Sequence, residues 1–255
     1  MFPSSLTDNY LLLTVDKPQD LLFMRELWDK YSRLPGLLTA RPLDYPYQKG
    51  YAYDPVTRKY YALPSGRVVS DKRLRSAVKR VSAEASRRAK KETQQLIAGA
   101  IILAVWYSRM RDLLAALYKT VWLVSIGGFL FDDNAQRNLF YILMLIQFKH
   151  LDNFASQIES GEQALNGLAV SRAGMYGGHG NSLWQNIRLA RAPEAGYTEA
   201  RRILAPIPYE RHCHDSGDRP GCVEVAARGW MPIAEMPQWG ECSCYSNCMC
   251  DVIFR

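Results

Sequence analysis

Three long stretches of the chain carry apolar residues at intervals of three and four, the spacing that gathers them on one face of a helix. The first runs from Asp71 to about Ala98, with Leu74, Ala77, Val78, Val81 and Ala85 on its apolar side. Ser70 stands just before it, where a side-chain oxygen takes up an orphan amide of the first turn. Gly99 interrupts the pattern. A second, strongly apolar stretch, IILAVWYSRMRDLLAALYKTVWLVSIGG, ends at Gly127-Gly128 and reads as the central core element. After a turn at Asp132-Asp133-Asn134, a third helix is expected from Ala135 to about Ser160. Its expected buried stripe is Leu139, Ile142, Leu143, Ile146, Leu151, Phe154 and Ile158, and Gly161 supplies the stop. A shorter helix is expected from Gly167 to Tyr176, running into a flexible GGHGN stretch, and another from Ser182 to Arg191, closed by Pro193. Long helices joined by short turns make an antiparallel bundle the economical arrangement.

The first 66 residues are patterned differently. Pro3, Pro18, Pro35, Pro42, Pro46, Pro55 and Pro64 cut them into short pieces, and only Asp20 to Leu34 has helical spacing. Tyr45, Tyr47, Tyr51, Tyr53, Tyr60 and Tyr61 then cluster among turn signals. A hairpin from Lys49 to Ala62, turning at Asp54-Pro55, accounts for them, and so does an extended arm packed on another subunit. The sequence therefore divides into an irregular Tyr/Pro-rich arm over 1–66, a helical body over 67–192 and a Cys-rich module over 193–255. The expected fold is mainly α: an antiparallel helical bundle with an irregular or short-β N-terminal arm and a small Cys-rich α+β C-terminal module.

With 255 residues and 48% hydrophobic composition, the chain has enough material for one large domain or two small ones. No run reaches the roughly 18 apolar residues of a spanning helix, so no membrane is expected. The N-terminus lacks the basic start and apolar core of a secretory signal, which points to synthesis in a cytoplasm. The formal charge of +7 favours acidic partners, nucleic acid among them. Nine bases against three acids fall between Asp71 and Glu92, and Arg73, Lys79, Arg80, Arg87 and Arg88 are the candidate phosphate contacts. The competing account is a merely solvated helix face.

All six cysteines lie between residues 213 and 255. Cys213 and Cys222 form one group, flanked by His212 and His214. Cys242, Cys244, Cys248 and Cys250 form a second, spaced C-x-C-x3-C-x-C. Thiolate and imidazole are zinc ligands, and structural sites draw them from two short loops. A segment so rich in Pro and Gly has little apolar core and needs a cross-link. Zinc, disulfides among the six cysteines, and mainly free buried thiols all remain open here. Six cysteines already exceed a four-coordinate site, which favours exposed or hydrogen-bonded roles for the two histidines.

Catalytic constellations are weak. His179 near Ser182, with Asp132 or Asp152, lacks a G-x-S-x-G elbow. Neither a Walker loop nor a G-x-G-x-x-G is present. Cys213 between two histidines has a nucleophile's setting, but five other cysteines nearby favour ligation or pairing. No enzymatic activity is expected.

The C-terminal residues, His212-Cys213, a second Cys, and then ARGWMPIAEMPQWGECSCYSNCMCDVIFR, resemble the tail of tailed-phage minor head proteins, the MuF-like head-morphogenesis family. Gly229-Trp230, Pro232, Pro237, Gly240, Cys242, Cys244, Cys248, Cys250 and Phe254 carry the likeness. Weaker likeness extends upstream to about residue 66, through SGRVVSDKRLRSAV, Gly99, Trp106 to Met110 and Gly127-Gly128. The sequence departs from the pattern where HDSGDRPG separates Cys213 from Cys222. The resemblance implies a non-enzymatic virion protein of the head or head-tail junction. Such a protein is made in the host cytoplasm, oligomeric in the assembly, and in contact with portal, capsid, neck proteins or packaged DNA. The alternative from another class is a zinc-stabilised nucleic-acid-binding protein that acts in the cell.

Overall fold

The computed structural model describes residues 51–54, 59–62, 67–126, 134–244 and 248–255. The helix expected at Asp20 to Leu34, the remainder of the arm up to residue 50, and the turn at Asp132-Asp133 lie outside the described residues. The fold class is the expected one: mainly helical, with a short sheet before the helices and a small sheet in the Cys-rich part.

Strands β1 (Tyr51–Asp54), β2 (Lys59–Ala62) and β3 (Arg67–Val69) form an antiparallel meander. Tyr51 pairs with Ala62 and Asp54 with Lys59, as a hairpin turning just after Asp54 requires. Tyr60 pairs with Val69 on the other side. Four long helices follow: α1 (Asp71–Ile97), α2 (Leu103–Ile126), α3 (Asn134–Glu159) and α4 (Gly167–Arg191). Ser70 begins α1 as expected, taking the Arg73 amide on its hydroxyl at 3.4 Å and the Leu74 amide on its carbonyl at 3.1 Å. Leu74, Ala77, Val78, Val81 and Ala85 are all buried.

The chain forms two compact units. One comprises the described residues of Glu84–Thr120 and Phe131–Gly177; the other comprises those of Tyr45–Ala83, Val121–Leu130 and Gly178–Arg255. The first unit has an aromatic core. Trp106 is fully buried, its indole N–H donates to Thr93 Oγ1 at 3.0 Å, and its ring meets the Phe154 ring edge-on with centroids 5.3 Å apart. Tyr176 stacks on Phe154 with centroids 6.2 Å apart, and the Arg172 guanidinium lies 4.3 Å from the Phe154 centroid. Met110, Leu114, Met144, Leu145, Phe148 and Leu151 complete the packing. On α3, Phe154 and Leu151 are buried as expected, whereas Ile146 and Ile158 are only half-buried, because the inward face passes through Met144 and Phe148 instead.

Helix α4 corrects the expectation of two short helices with a flexible joint. It is continuous from Gly167 to Arg191, straight through GGHGN. Just before that stretch, within the first unit, Gly174 is closely packed: its carbonyl accepts the Ser86 hydroxyl at 2.6 Å, and a β-carbon there would fall 2.3 Å from Lys90 Cε. Glycine here permits a close helix-helix approach, and that tertiary contact offsets the roughly 1 kcal/mol that each glycine costs a helix. In the second unit His179, Asn181, Ser182, Gln185 and Asn186 are buried beside Leu183, Trp184, Ile187 and Leu189, so this part of α4 is held by polar contacts as well as by apolar packing.

The Cys-rich part is built on β4 (Glu199–Ile203), the central strand between β5 (Met231–Pro232) and β6 (Asp251–Phe254). Arg202 pairs with Val252 and Ala200 with both Met231 and Phe254. A short helix, α5 (Cys222–Ala227), packs beneath. Its core consists of Leu189, Ala200, Val225, Met231, Met236, Trp239 and Val252 together with Cys222, Cys242, Cys248 and Cys250.

Candidate metal centre

The six cysteines reach one place from three pieces of chain. The loop after β4 brings Cys213, the first residue of α5 is Cys222, and the segment leading into β6 carries the rest. The eight residues between Cys213 and Cys222 fold back tightly. Ser216 N–H donates to Arg219 C=O at 3.0 Å, Gly221 N–H donates to Asp215 Oδ1 at 2.5 Å, and Cys222 N–H donates to Cys213 Sγ at 3.1 Å. Gly221 is required by crowding, since a β-carbon there would lie 2.3 Å from the His214 carbonyl carbon. This loop docks on the second cysteine group through Ser243 N–H to Pro220 C=O at 3.0 Å and Ser243 Oγ to His214 C=O at 2.6 Å. The insertion thus closes the gap that its length opens.

The sulfurs form a continuous cluster. Cys222 Sγ lies 3.3 Å from Cys248 Sγ and 3.6 Å from Cys244 Sγ. Two ligand groups have all their sulfurs within 4.8 Å of one another: Cys213, Cys222 and Cys244, and Cys222, Cys248 and Cys250. All six are free cysteines, and Cys222, Cys242, Cys248 and Cys250 are buried. Zinc-sulfur bonds near 2.3 Å around a tetrahedron put sulfurs about 3.8 Å apart, so the observed spacing suits a tetrahedral thiophilic ion. A disulfide, by contrast, joins each sulfur to a single partner. Cys222 lies against all five others.

A buried arginine completes the cluster. Arg202 points inward from β4 because side chains alternate along a strand: Ala200 and Arg202 are buried while Arg201 is exposed. Arg202 is 1% exposed, and its Nη1 lies 3.3 Å from Cys242 Sγ, 3.7 Å from Cys222 Sγ and 3.8 Å from Cys248 Sγ. The guanidinium sits 4.0 Å from the Trp239 ring centroid, and Nη2 donates to the Pro237 carbonyl. Burial opposes its charge, but Cys242, Cys248 and Cys222 more than offset that and hold it protonated. In return, the hydrogen bond from Cys222, with the guanidinium acting the same way, brings the Cys242 thiol down to about 7 against its burial. A buried cation needs a partner beside it, and the groups placed there are sulfurs.

The remaining expected residues fall elsewhere. His212 is buried and His214 Nδ1 lies 3.2 Å from Glu224 Oε1 under the Tyr209 ring; neither belongs to either sulfur group. Arg73, Lys79, Arg80, Arg87 and Arg88 are all exposed on α1. Two of them share one acid: Glu84 receives Arg87 at 2.5 Å and Arg88 at 2.6 Å, contacts that hold its carboxyl below the usual carboxylate range.

Sequence reading missed the residues that anchor the centre. Asn186 on α4 donates to Trp239 C=O at 3.0 Å and accepts the Trp239 amide at 2.8 Å, and Asn181 donates to Cys248 C=O at 3.0 Å. Asp251, next to Cys250, takes Gln185 at 2.8 Å, Arg188 at 3.1 Å and Arg75 in an ion pair. Arg202 had a usable signal, an arginine in step with Ala200 on one face of a short strand; the amides on α4 had none, since their partners lie more than fifty residues along the chain. A separate cleft lined by Tyr60, Asp71, Arg188, Arg191 and Tyr197 holds only about 100 Å³, well below the size of a typical small-molecule site. Comparison with protein-family models, with curated proteins and with solved structures finds no match.

Proposed function

We propose that this chain is a non-enzymatic structural protein of a tailed-phage head or head-tail junction, with a C-terminal module held together by thiolate-bound zinc. The observation that carries the metal half is the burial of the sulfur cluster in the core of its module, beside Arg202. A closed set of protein ligands at a core position builds structure, whereas a catalytic zinc keeps a position open to water or substrate. The virion half rests on the C-terminal pattern from Gly229-Trp230 to Phe254 and its likeness to minor head proteins. In this reading the module and bundle are rigid bodies offered to portal, capsid or neck proteins. The exposed cations of α1 would neutralise packaged DNA without reading its sequence.

The experiment has two arms. Metal analysis of protein purified under reducing conditions should return zinc together with thiols that resist alkylation until a chelator is added. In cells assembling particles, the protein should sediment with the heads. A protein that stays monomeric in the soluble fraction and binds DNA below micromolar Kd would replace this reading with the cellular nucleic-acid-binding one. Replacing Arg73, Lys79, Arg80, Arg87 and Arg88 by Gln should lower both DNA retention and its salt dependence; unchanged values would remove DNA as a partner.

A further inference from the structure

We propose that the six cysteines bind two thiophilic divalent ions, zinc in the first instance, in two tetrahedral sites that share Cys222 and Cys248. The proposal rests on the reading of the cluster as a metal centre and concerns how that centre is built. Two four-coordinate ions need eight ligand positions, and six thiolates fill them only if two sulfurs bridge.

The positions of Cys222 and Cys248 suit the two bridges. Cys222 belongs to both ligand groups, so it is already the common member. The second bridge must touch both sides as well. Cys248 does: it groups with Cys222 and Cys250 on one side and contacts Cys244 on the other. The 3.3 Å separation of Cys222 and Cys248 is then the shared edge. The first site has Cys213 and Cys244 as its outer ligands, with Cys213 fixed by the Cys222 amide. The second has Cys242 and Cys250, with Cys242 in contact with Cys222.

The charge arrangement agrees. Arg202 Nη1 lies against Cys222, Cys242 and Cys248, which are three ligands of the second site and include both bridges. Two dications and six thiolates leave a net charge of −2, and a bridging thiolate keeps electron density for a hydrogen bond from a guanidinium. A single ion would instead leave two of the six sulfurs as surplus, although each of the other five lies against Cys222.

The test is metal stoichiometry on the full chain. Native mass spectrometry after purification with zinc under reducing conditions should give two zinc ions per chain. Cadmium-113 substitution should give two resonances that couple to each other through the shared sulfurs. One ion per chain, or two uncoupled resonances, would overturn the shared-edge centre while leaving a metal-held module. No bound metal, with the cysteines recovered as disulfides or as freely alkylated thiols, would overturn both readings. Cys213→Ser should drop the count from two to one, with the cadmium signal of the second site retained; a variant that still holds two ions would overturn the ligand assignment.

Discussion

The core around Trp106 and the core around Cys222 solve the same problem with different materials. The first is aromatic and aliphatic: Trp106, Phe154, Tyr176 and Phe148 bury large surfaces, and its main internal polar contact, the indole to Thr93, joins two neutral groups. Each such ring contributes on the order of 2 to 3 kcal/mol from burial alone, so long helices supply enough of them to hold together unaided. The second core has four buried cysteines, two methionines, one tryptophan and a charged arginine beside only four aliphatic residues, Leu189, Ala200, Val225 and Val252. Its strands are short, and a buried guanidinium is a cost unless it is balanced. One region is stable because of what it excludes; the other, on the proposed reading, because of what it binds.

Metal removal separates the two most sharply. A strong chelator under reducing conditions should abolish amide-exchange protection in β4, β5, β6 and α5, while the amides of α2 and α3 around Trp106 and Phe154 keep theirs. The expected effect is the full binding free energy of a structural zinc site, about 10 kcal/mol or more. Equal loss in both cores would break the comparison.

Point substitutions should fall next. Phe154→Ala should cost about 3 to 5 kcal/mol in urea unfolding and leave metal content unchanged. Arg202→Met should cost a similar amount, about 3 to 5 kcal/mol, because it leaves the thiolates without their cation, and it should weaken metal retention as well. A variant at Arg202 that unfolds normally and keeps its metal would show that the guanidinium is merely accommodated. Asn186→Ala removes both hydrogen bonds to the Trp239 backbone and should cost about 1 to 3 kcal/mol, measurable as a shift in the urea midpoint at constant metal content.

At the small end stands Gly174→Ala. The new methyl meets the end of the flexible Lys90 side chain, which can swing aside, so the change should stay within about 1 kcal/mol of zero. Its counterpart Gly221→Ala meets the His214 backbone, which cannot, and should reduce metal content measurably.

Much of the bundle was legible because helices announce themselves locally. The three-and-four spacing of Leu74, Ala77, Val78 and Val81, the cap at Ser70, and the stops at Gly99 and Gly161 with their positive φ of 69° and 77° depend on neighbours a few residues away. Helix α4 was not legible as one piece. Its glycines signal a break in any local reading, and only Ser86 and Lys90, more than eighty residues earlier, explain why the helix tolerates Gly174. The metal centre divides in the same way. The cysteine spacing placed all six sulfurs in one module, but which sulfur is central, and that an arginine faces it, depends on the β4 register and on the fold-back between Cys213 and Cys222. Those are long-range facts, fixed by pairs such as Arg202 with Val252.

The neighbouring positions Cys250 and Asp251 are usually considered apart, one as a ligand and one as a salt-bridge partner. Peptide geometry makes them a single lever. Asp251 opens strand β6 and carries the side chains of Arg75, Arg188 and Gln185, while the residue before it ends inside the sulfur cluster. A shift of Cys250 on loss of its ion would pull that carboxylate off register and loosen its hold on α1 at the same moment. On the proposed reading, occupancy of the cluster and the grip on Arg75 would be one variable read at two places, with the state of a buried ion reported at a partly exposed arginine.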